Sequence, residues 1–161
     1  MILQLSCKPP VYFFLKKNYG DCMKLGEYDP LSAIIFNTLM KNRGNSHHAN
    51  KLNKYTMYYP MKVSNYNYDK YNLKTFSPIS IRAINKYVDM LFEMTFFMFV
   101  MRKIAAGVKQ KDAIEEFMLL YQIDDEVYSY DALQKEYYRF ETGKKKDIEK
   151  FFQKNTCSFV C

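Results

Sequence analysis

Histidine and glycine are scarce in this chain, and tryptophan is absent, which limits the chemistry the protein can carry out. Its only two histidines, His47 and His48, are neighbours in a polar stretch, so a serine–histidine or cysteine–histidine relay is not expected. The five glycines are scattered singly, and none opens a phosphate-binding loop. We therefore expect a protein that is not an enzyme and that uses no cofactor.

Cysteines are also too few, and too widely spaced, to suggest a structural framework. A disulfide-rich fold is not expected from four cysteines in a chain of this length. Cys157 and Cys161 are close in sequence, but Cys7 and Cys22 are not the tight second pair that a zinc ribbon requires. The sequence therefore predicts reduced thiols and no metal site.

No apolar run is long enough to predict a membrane span. The most apolar stretch, Met90 to Met101, is about a dozen residues and contains Glu93, whereas a spanning helix needs about 20 residues. Lys8, Pro9 and Pro10 interrupt the apolar start, so no secretory signal is expected there. These observations predict a cytoplasmic protein that does not bind membranes.

What the chain does contain is enough apolar material for a core. Its 161 residues are 48% hydrophobic and 17% aromatic, which is too apolar for a disordered chain. We expect one compact domain, with a basic mixed α/β part over residues 1–76 and a helical part over residues 77–161.

The excess of positive over negative charge is confined to the first half. Residues 1–80 contain 11 Lys or Arg and four acids, whereas residues 81–161 contain 13 of each, so the net charge of +7 belongs to the first half. A basic excess favours anionic partners, nucleic acid above all.

Hydrophobic patterning predicts a mainly α fold with a small β element near the N-terminus (α+β). Two strands are expected, Ile2–Ser6 and Lys54–Ser64, and Pro60 requires an edge position or a break in the second. A helical turn is expected over Asn65–Asn72 and an exposed loop over Asn42–Asn53. Helices are expected at Pro10–Tyr19, Pro30–Lys41, Pro78–Ala106, Gln110–Gln122, Tyr130–Glu141 and Asp147–Lys154. The long helix capped by Ser77 is expected to be central and largely buried, and Gly143 with Lys144–Lys146 should separate the last two helices.

The helices at 110–122 and 130–141 form a helix-turn-helix-like pair. If Leu133, Tyr137 and Phe140 are buried, the second helix turns a polar face outward. That face consists of Asp131, Gln134, Lys135 and Tyr138, with Arg139 at its edge. Glutamine pairs with adenine, lysine and arginine contact guanine or phosphate, and tyrosine contacts phosphate. The predicted contacts to double-stranded DNA are Gln134, Lys135, Tyr138, Arg139, Lys144, Lys145 and Lys146.

An ordinary helical hairpin with a solvated polar face is the alternative. The connection, Ile123–Ser129, is longer than the three or four residues usual in a helix-turn-helix, and it contains Asp124, Asp125 and Glu126. Acids beside a DNA groove are repelled unless they point away.

The segment from Gly107 to Arg139 resembles C-terminal segments of small phage and mobile-element proteins. The shared pattern is Ala-Ile-x-x-Phe, then Tyr, then Tyr-Asp-x-Leu-x-Lys-x-Tyr-x-Arg, matched by Ala113, Ile114, Phe117, Tyr121, Tyr130, Asp131, Leu133, Lys135, Tyr137 and Arg139. The resemblance covers about a fifth of the chain. It implies a mobile-element origin and a DNA-related role, and it implies no enzymatic activity.

Two other functions remain open. One is binding of single strands by tyrosines interleaved with lysines: Tyr55, Tyr58, Tyr59, Tyr66, Tyr68 and Tyr71 with Lys51, Lys54, Lys62, Lys70 and Lys74. The other is a non-catalytic structural or protein-interaction role, in which an aromatic surface docks a protein partner.

Overall fold

The structure, a computed structural model, describes residues 1–26, 29–41, 53–70 and 77–156. In chain order its elements are β1 (Ile2–Cys7), α1 (Pro9–Tyr19), β2 (Met23–Lys24), α2 (Pro30–Lys41), β3 (Met57–Lys62), α3 (Asn65–Lys70), α4 (Pro78–Ala105), α5 (Gln110–Tyr121) and α6 (Tyr130–Thr156). The predicted fold class, mainly α with a small N-terminal β element, is confirmed. Predictions for most of the loop Asn42–Asn53 and for Tyr71, Lys51, Lys74, His47, His48, Cys157 and Cys161 lie outside the described residues.

Contacts divide the chain into two compact units, Met1–Met94 and Thr95–Cys161. This division falls inside α4, whereas composition placed a boundary between residues 76 and 77, where that helix begins. The long helix thus contributes residues to the core of each unit.

Several helix starts follow the capping residues that the sequence supplies. Asp29 accepts a hydrogen bond from the Ser32 amide (2.6 Å), and Ser64 accepts one from the Asn67 amide (3.1 Å). Ser77 likewise accepts from the amide of Ser80 (3.1 Å) at the start of α4. Each side-chain oxygen satisfies an amide that the helix leaves unpaired, which is why these starts were predictable.

In the first unit a three-stranded sheet has the order β1-β3-β2. β1 runs antiparallel to β3, with Leu5 opposite Tyr59, and β2 runs parallel to β3, with Met23 opposite Met61. These four side chains are buried. The Tyr59 hydroxyl donates a hydrogen bond to the Gly20 carbonyl just after α1 (2.8 Å). Alternate residues of each strand therefore form the core of this unit.

Pro60 lies in the middle strand of the sheet, which departs from the predicted edge position or break. The Lys62 carbonyl accepts a hydrogen bond from the Leu25 amide, just after β2 (2.8 Å). Backbone polar groups alternate in direction along a strand, so those of Pro60, two residues earlier, also point toward the β2 side. β2 pairs only at Met23 and Lys24, opposite Met61 and Lys62. β2 therefore has no residue opposite Pro60 that needs an amide donor, and proline, which lacks an N–H, is tolerated there.

α4 is buried on one face only, so the expectation of a largely buried helix is wrong. Ile84, Val88 and Val100 are fully buried, whereas four methionines are 43–54% exposed: Met90, Met94, Met98 and Met101. The expectation came from apolar residues, from Ile81 to Ile104, that cover more than one face of the helix in sequence, yet Ile104 is 37% exposed.

α6 is one continuous helix of 27 residues, and the predicted break at Gly143 and Lys144–Lys146 is absent. A glycine inside a helix costs only about 1 kcal/mol relative to alanine, and lysine is a good helix former.

Cys7 and Tyr59 face the buried side of the sheet, and burial raises the pKa of both groups, that of the Cys7 thiol from 9.0 to about 12. The folded state therefore keeps the Cys7 proton where the unfolded chain loses it. The contribution of the neutral Cys7 thiol to the stability of the folded state is therefore fully present below pH 9.0 and is lost as pH rises to about 12.

We expect the free energy of unfolding to fall by about 1.4 kcal/mol more per pH unit in the wild type than in Cys7→Ala between pH 9.0 and about pH 12. Urea titrations at successive pH values measure the difference, and equal slopes would contradict it.

Candidate nucleic-acid interface

The second unit is organised around a hairpin of α5 and α6. α5 ends at Tyr121, and Gln122 adopts a left-handed conformation (φ 54°), with its amide bonded to the Leu119 carbonyl (3.2 Å). α6 begins at Tyr130, where Ser129 accepts from the Ala132 amide (3.3 Å). The predicted pair of helices is thus present, joined by the eight residues 122–129.

Two acids of the connection accept hydrogen bonds from nearby backbone amides. Asp124 accepts a hydrogen bond from the Val127 amide (2.9 Å), and Asp125 accepts one from the Tyr130 amide (3.0 Å). Both carboxylates therefore stabilise local turns and the start of α6. The acidic connection has a structural role that does not depend on a ligand.

The two faces of α6 divide as the sequence predicted. Leu133 and Tyr137 are buried, and Phe140 stacks on Phe97 with ring centroids 4.1 Å apart. On the other side Gln134, Lys135, Tyr138 and Arg139 are exposed, Tyr138 by 65%. Helical periodicity explains this division, because residues three and four apart share a face.

These four exposed residues are brought together in one surface groove of about 380 Å³. Gln110, from the first turn of α5, is the fifth side chain that lines it. Two of the five are cationic, two are amides and one is aromatic, and none is acidic. The groove therefore offers cationic donors, two amides and one aromatic ring.

Gln110 is a groove residue that the sequence did not identify. Sequence placed it at the start of α5 but not beside Arg139. The groove requires α5 to fold back along α6, because Gln110 is at the far end of α5 from the connection. That arrangement is a helical hairpin, and its connection is longer than that of a usual helix-turn-helix.

Arg139 also forms an ion pair within its own helix. Its guanidinium lies 3.3 Å from the Glu136 carboxylate, and the arginine side chain is 72% exposed. Pairs this exposed contribute about 0–1 kcal/mol, so Arg139 can exchange Glu136 for a phosphate at small cost. Lys144–Lys146 continue α6, beginning about 7.5 Å further along the helix axis than Arg139.

The tyrosine-rich segment separates into buried and exposed members. Tyr55 and Tyr59 are buried, whereas Tyr58 and Tyr66 are 64% and 68% exposed. The Lys70 ammonium lies over the Tyr66 ring, 5.3 Å from its centroid. Successive side chains of β3 point to opposite faces of the sheet, which is why Tyr58 is exposed and Tyr59 is buried.

No cluster of three or more His, Cys, Asp or Glu side chains with metal-binding geometry occurs among the described residues. None of the helices, over the ranges the structure describes, has the length and apolar character needed to cross a bilayer.

Comparison of the chain with protein-family models, with curated proteins and with solved structures finds no match.

Proposed function

We propose that this chain is a non-enzymatic DNA-binding protein, a cytoplasmic accessory or regulatory factor of a phage or mobile element. The observation that supports the proposal is the groove, in which Gln134, Lys135, Tyr138 and Arg139 converge with Gln110. The resemblance of residues 107–139 to segments of mobile-element proteins supports the biological setting.

Double-stranded DNA is the partner whose chemistry fits the outer face of α6. A helix fits the major groove, where Gln134 can pair with an adenine edge and Arg139 with a guanine edge or a phosphate. Lys135 and Tyr138 supply phosphate contacts that set the register of the helix. The Lys144–Lys146 run on the same helix adds sequence-independent attraction to the backbone.

Removing both groove cations should weaken duplex binding. For Lys135→Ala/Arg139→Ala we expect about 5- to 150-fold lower affinity for a labelled duplex at low salt. We also expect the slope of log K against log salt to become shallower by about 1.8, because two phosphate contacts are lost. Fluorescence anisotropy across a salt series measures both quantities.

The matched control is Lys16→Ala/Lys17→Ala on α1. It also removes two exposed cations, one of which pairs with an acid, Asp21, at 3.5 Å. We expect this control to change affinity far less. Absence of duplex binding by the wild type at low salt, or equal losses in both double variants, would contradict the proposal.

A second candidate function is docking of a protein partner, favoured by exposed leucines at the end of α5. Leu119 is 81% exposed and Leu120 is 40% exposed. Contiguous exposed apolar side chains mark interaction surfaces, and these two leucines are adjacent on the helix. Light scattering that finds a homo-oligomer, together with its loss in Leu119→Lys, would favour this alternative.

A further inference from the structure

The sheet of the first unit has one face that its own helices leave uncovered. The register places Ile2 opposite Lys62, Gln4 opposite Pro60 and Ser6 opposite Tyr58, all on the side away from the buried residues. Lys24 of β2 lies beside Lys62 in the same row. We call this set the open sheet face: Ile2, Gln4, Ser6, Lys24, Tyr58, Pro60 and Lys62.

This face is open because the strands alternate strictly. Leu3, Leu5 and Cys7 in β1, and Tyr59 and Met61 in β3, are buried on the opposite side. Ile2 and Tyr58 are each 64% exposed, and Gln4, Lys24 and Lys62 are exposed as well. A period of two thus puts the core residues of the strands on one side and leaves the other side exposed, apart from Ser6 and Pro60, which are half-buried.

The charge on the open sheet face is entirely positive. Lys24 and Lys62 are lateral neighbours on adjacent strands, about 4.8 Å apart at the backbone. Within the described ranges neither forms an ion pair, and no residue of the face is acidic. Two like charges side by side on a sheet repel each other, and a bound anion relieves that repulsion.

The aromatic component is Tyr58, four residues before Lys62 on β3. Its ring is exposed at one end of the face, and the lysine pair lies at the other end, about 13 Å away. That length corresponds to about four nucleotides at the 3.4 Å rise of a stacked strand. Sheets that combine exposed aromatics with cations hold single strands by base stacking and phosphate attraction.

We propose that the open sheet face binds single-stranded DNA, with a base stacked on Tyr58 and phosphates held by Lys24 and Lys62. Ile2, beside Lys62, offers an apolar contact to the methyl group of thymine, which favours DNA over RNA. Two lysines are fewer than the about four to eight basic residues with which proteins recognise acidic membranes. This site lies in the first unit and takes a different ligand from the α5–α6 groove, so it goes beyond the proposed duplex binding.

The test is anisotropy of a labelled 12-nucleotide oligo(dT) with Tyr58→Ala and with Lys24→Ala/Lys62→Ala. Loss of one stacked base should weaken binding about 5- to 150-fold in Tyr58→Ala. Loss of two phosphate contacts should make the salt slope shallower by about 1.4 in the lysine variant. The matched control is Tyr66→Ala, which removes an equally exposed tyrosine from α3 and should leave affinity within about twofold.

The outcomes separate this site from the groove. The proposal is supported if Lys135→Ala/Arg139→Ala binds oligo(dT) normally while Tyr58→Ala binds duplex normally. It is overturned if the wild type does not bind oligo(dT) at low salt, or if Tyr58→Ala and Tyr66→Ala behave alike. Equal or tighter binding of oligo(rU) would overturn the assignment to DNA. Thermal melts followed by circular dichroism confirm that each surface variant remains folded.

Discussion

Phe117→Ala should destabilise the second unit by about 3–5 kcal/mol, the largest effect expected from a single substitution in this chain. Phe117 is fully buried, and its ring centroid lies 5.0 Å from that of Phe96, 5.6 Å from that of Phe99 and 4.5 Å from that of Tyr121. Alanine gains at most about 0.7 kcal/mol in helix propensity, so the lost packing decides the sign.

Urea denaturation followed by far-UV circular dichroism measures this loss. Leu119→Ala is the matched control, because it shortens an apolar side chain two residues later on the same helix, at 81% exposure. We expect its stability to remain within about 0.5 kcal/mol of the wild type. A loss below about 1 kcal/mol in Phe117→Ala would show that the aromatic cluster is not the core of this unit.

Asn85→Ala should destabilise the first unit by about 2–4 kcal/mol, because it removes a buried amide that joins α4 to β1. The Asn85 amide nitrogen donates to the Ser6 carbonyl (2.9 Å) and to the Ile81 carbonyl (2.8 Å). Its oxygen accepts from the Lys8 amide (3.1 Å). The change leaves the Ser6 carbonyl and the Lys8 amide without this partner, and a fully buried group in that state costs about 1–3 kcal/mol. Both residues are only half-buried, so the expected loss lies in the lower part of the sum for two groups.

Two further variants separate hydrogen bonding from packing. Asn85→Leu restores side-chain volume but none of the three hydrogen bonds, so we expect it to be about as unstable as Asn85→Ala. The exposed neighbour Lys86, changed to alanine, should remain near wild-type stability. Recovery of stability in Asn85→Leu would show that volume, and not the amide, matters at this position.

Several features of the fold could be predicted because their causes are local. Asp29, Ser64 and Ser77 cap helices through amides three residues away, and such short-range bonds are visible in the sequence. The outward direction of Gln134 and Tyr138 follows from the same periodicity that buries Leu133 and Tyr137.

Other features could not be predicted because their causes are distant in sequence. β2 has only two residues, and it exists because Met23 and Lys24 pair with Met61 and Lys62. α6 continues through Gly143, because a single glycine destabilises a helix only slightly and the other residues of this 27-residue helix offset that loss. In the sequence Asn85 looks like any other polar residue of a helix. Its role is visible only in the fold, where Ser6 and Lys8 lie within hydrogen-bond distance of its amide.

The sequence by itself determined the fold class, most helix starts and which residues of α6 face outward, because spacing and capping act over a few residues. Only the tertiary structure decided that Gln110 joins the α6 side chains in one groove and that Lys24 lies beside Lys62. Both juxtapositions depend on how separate elements pack, and packing brings together residues that no local pattern connects.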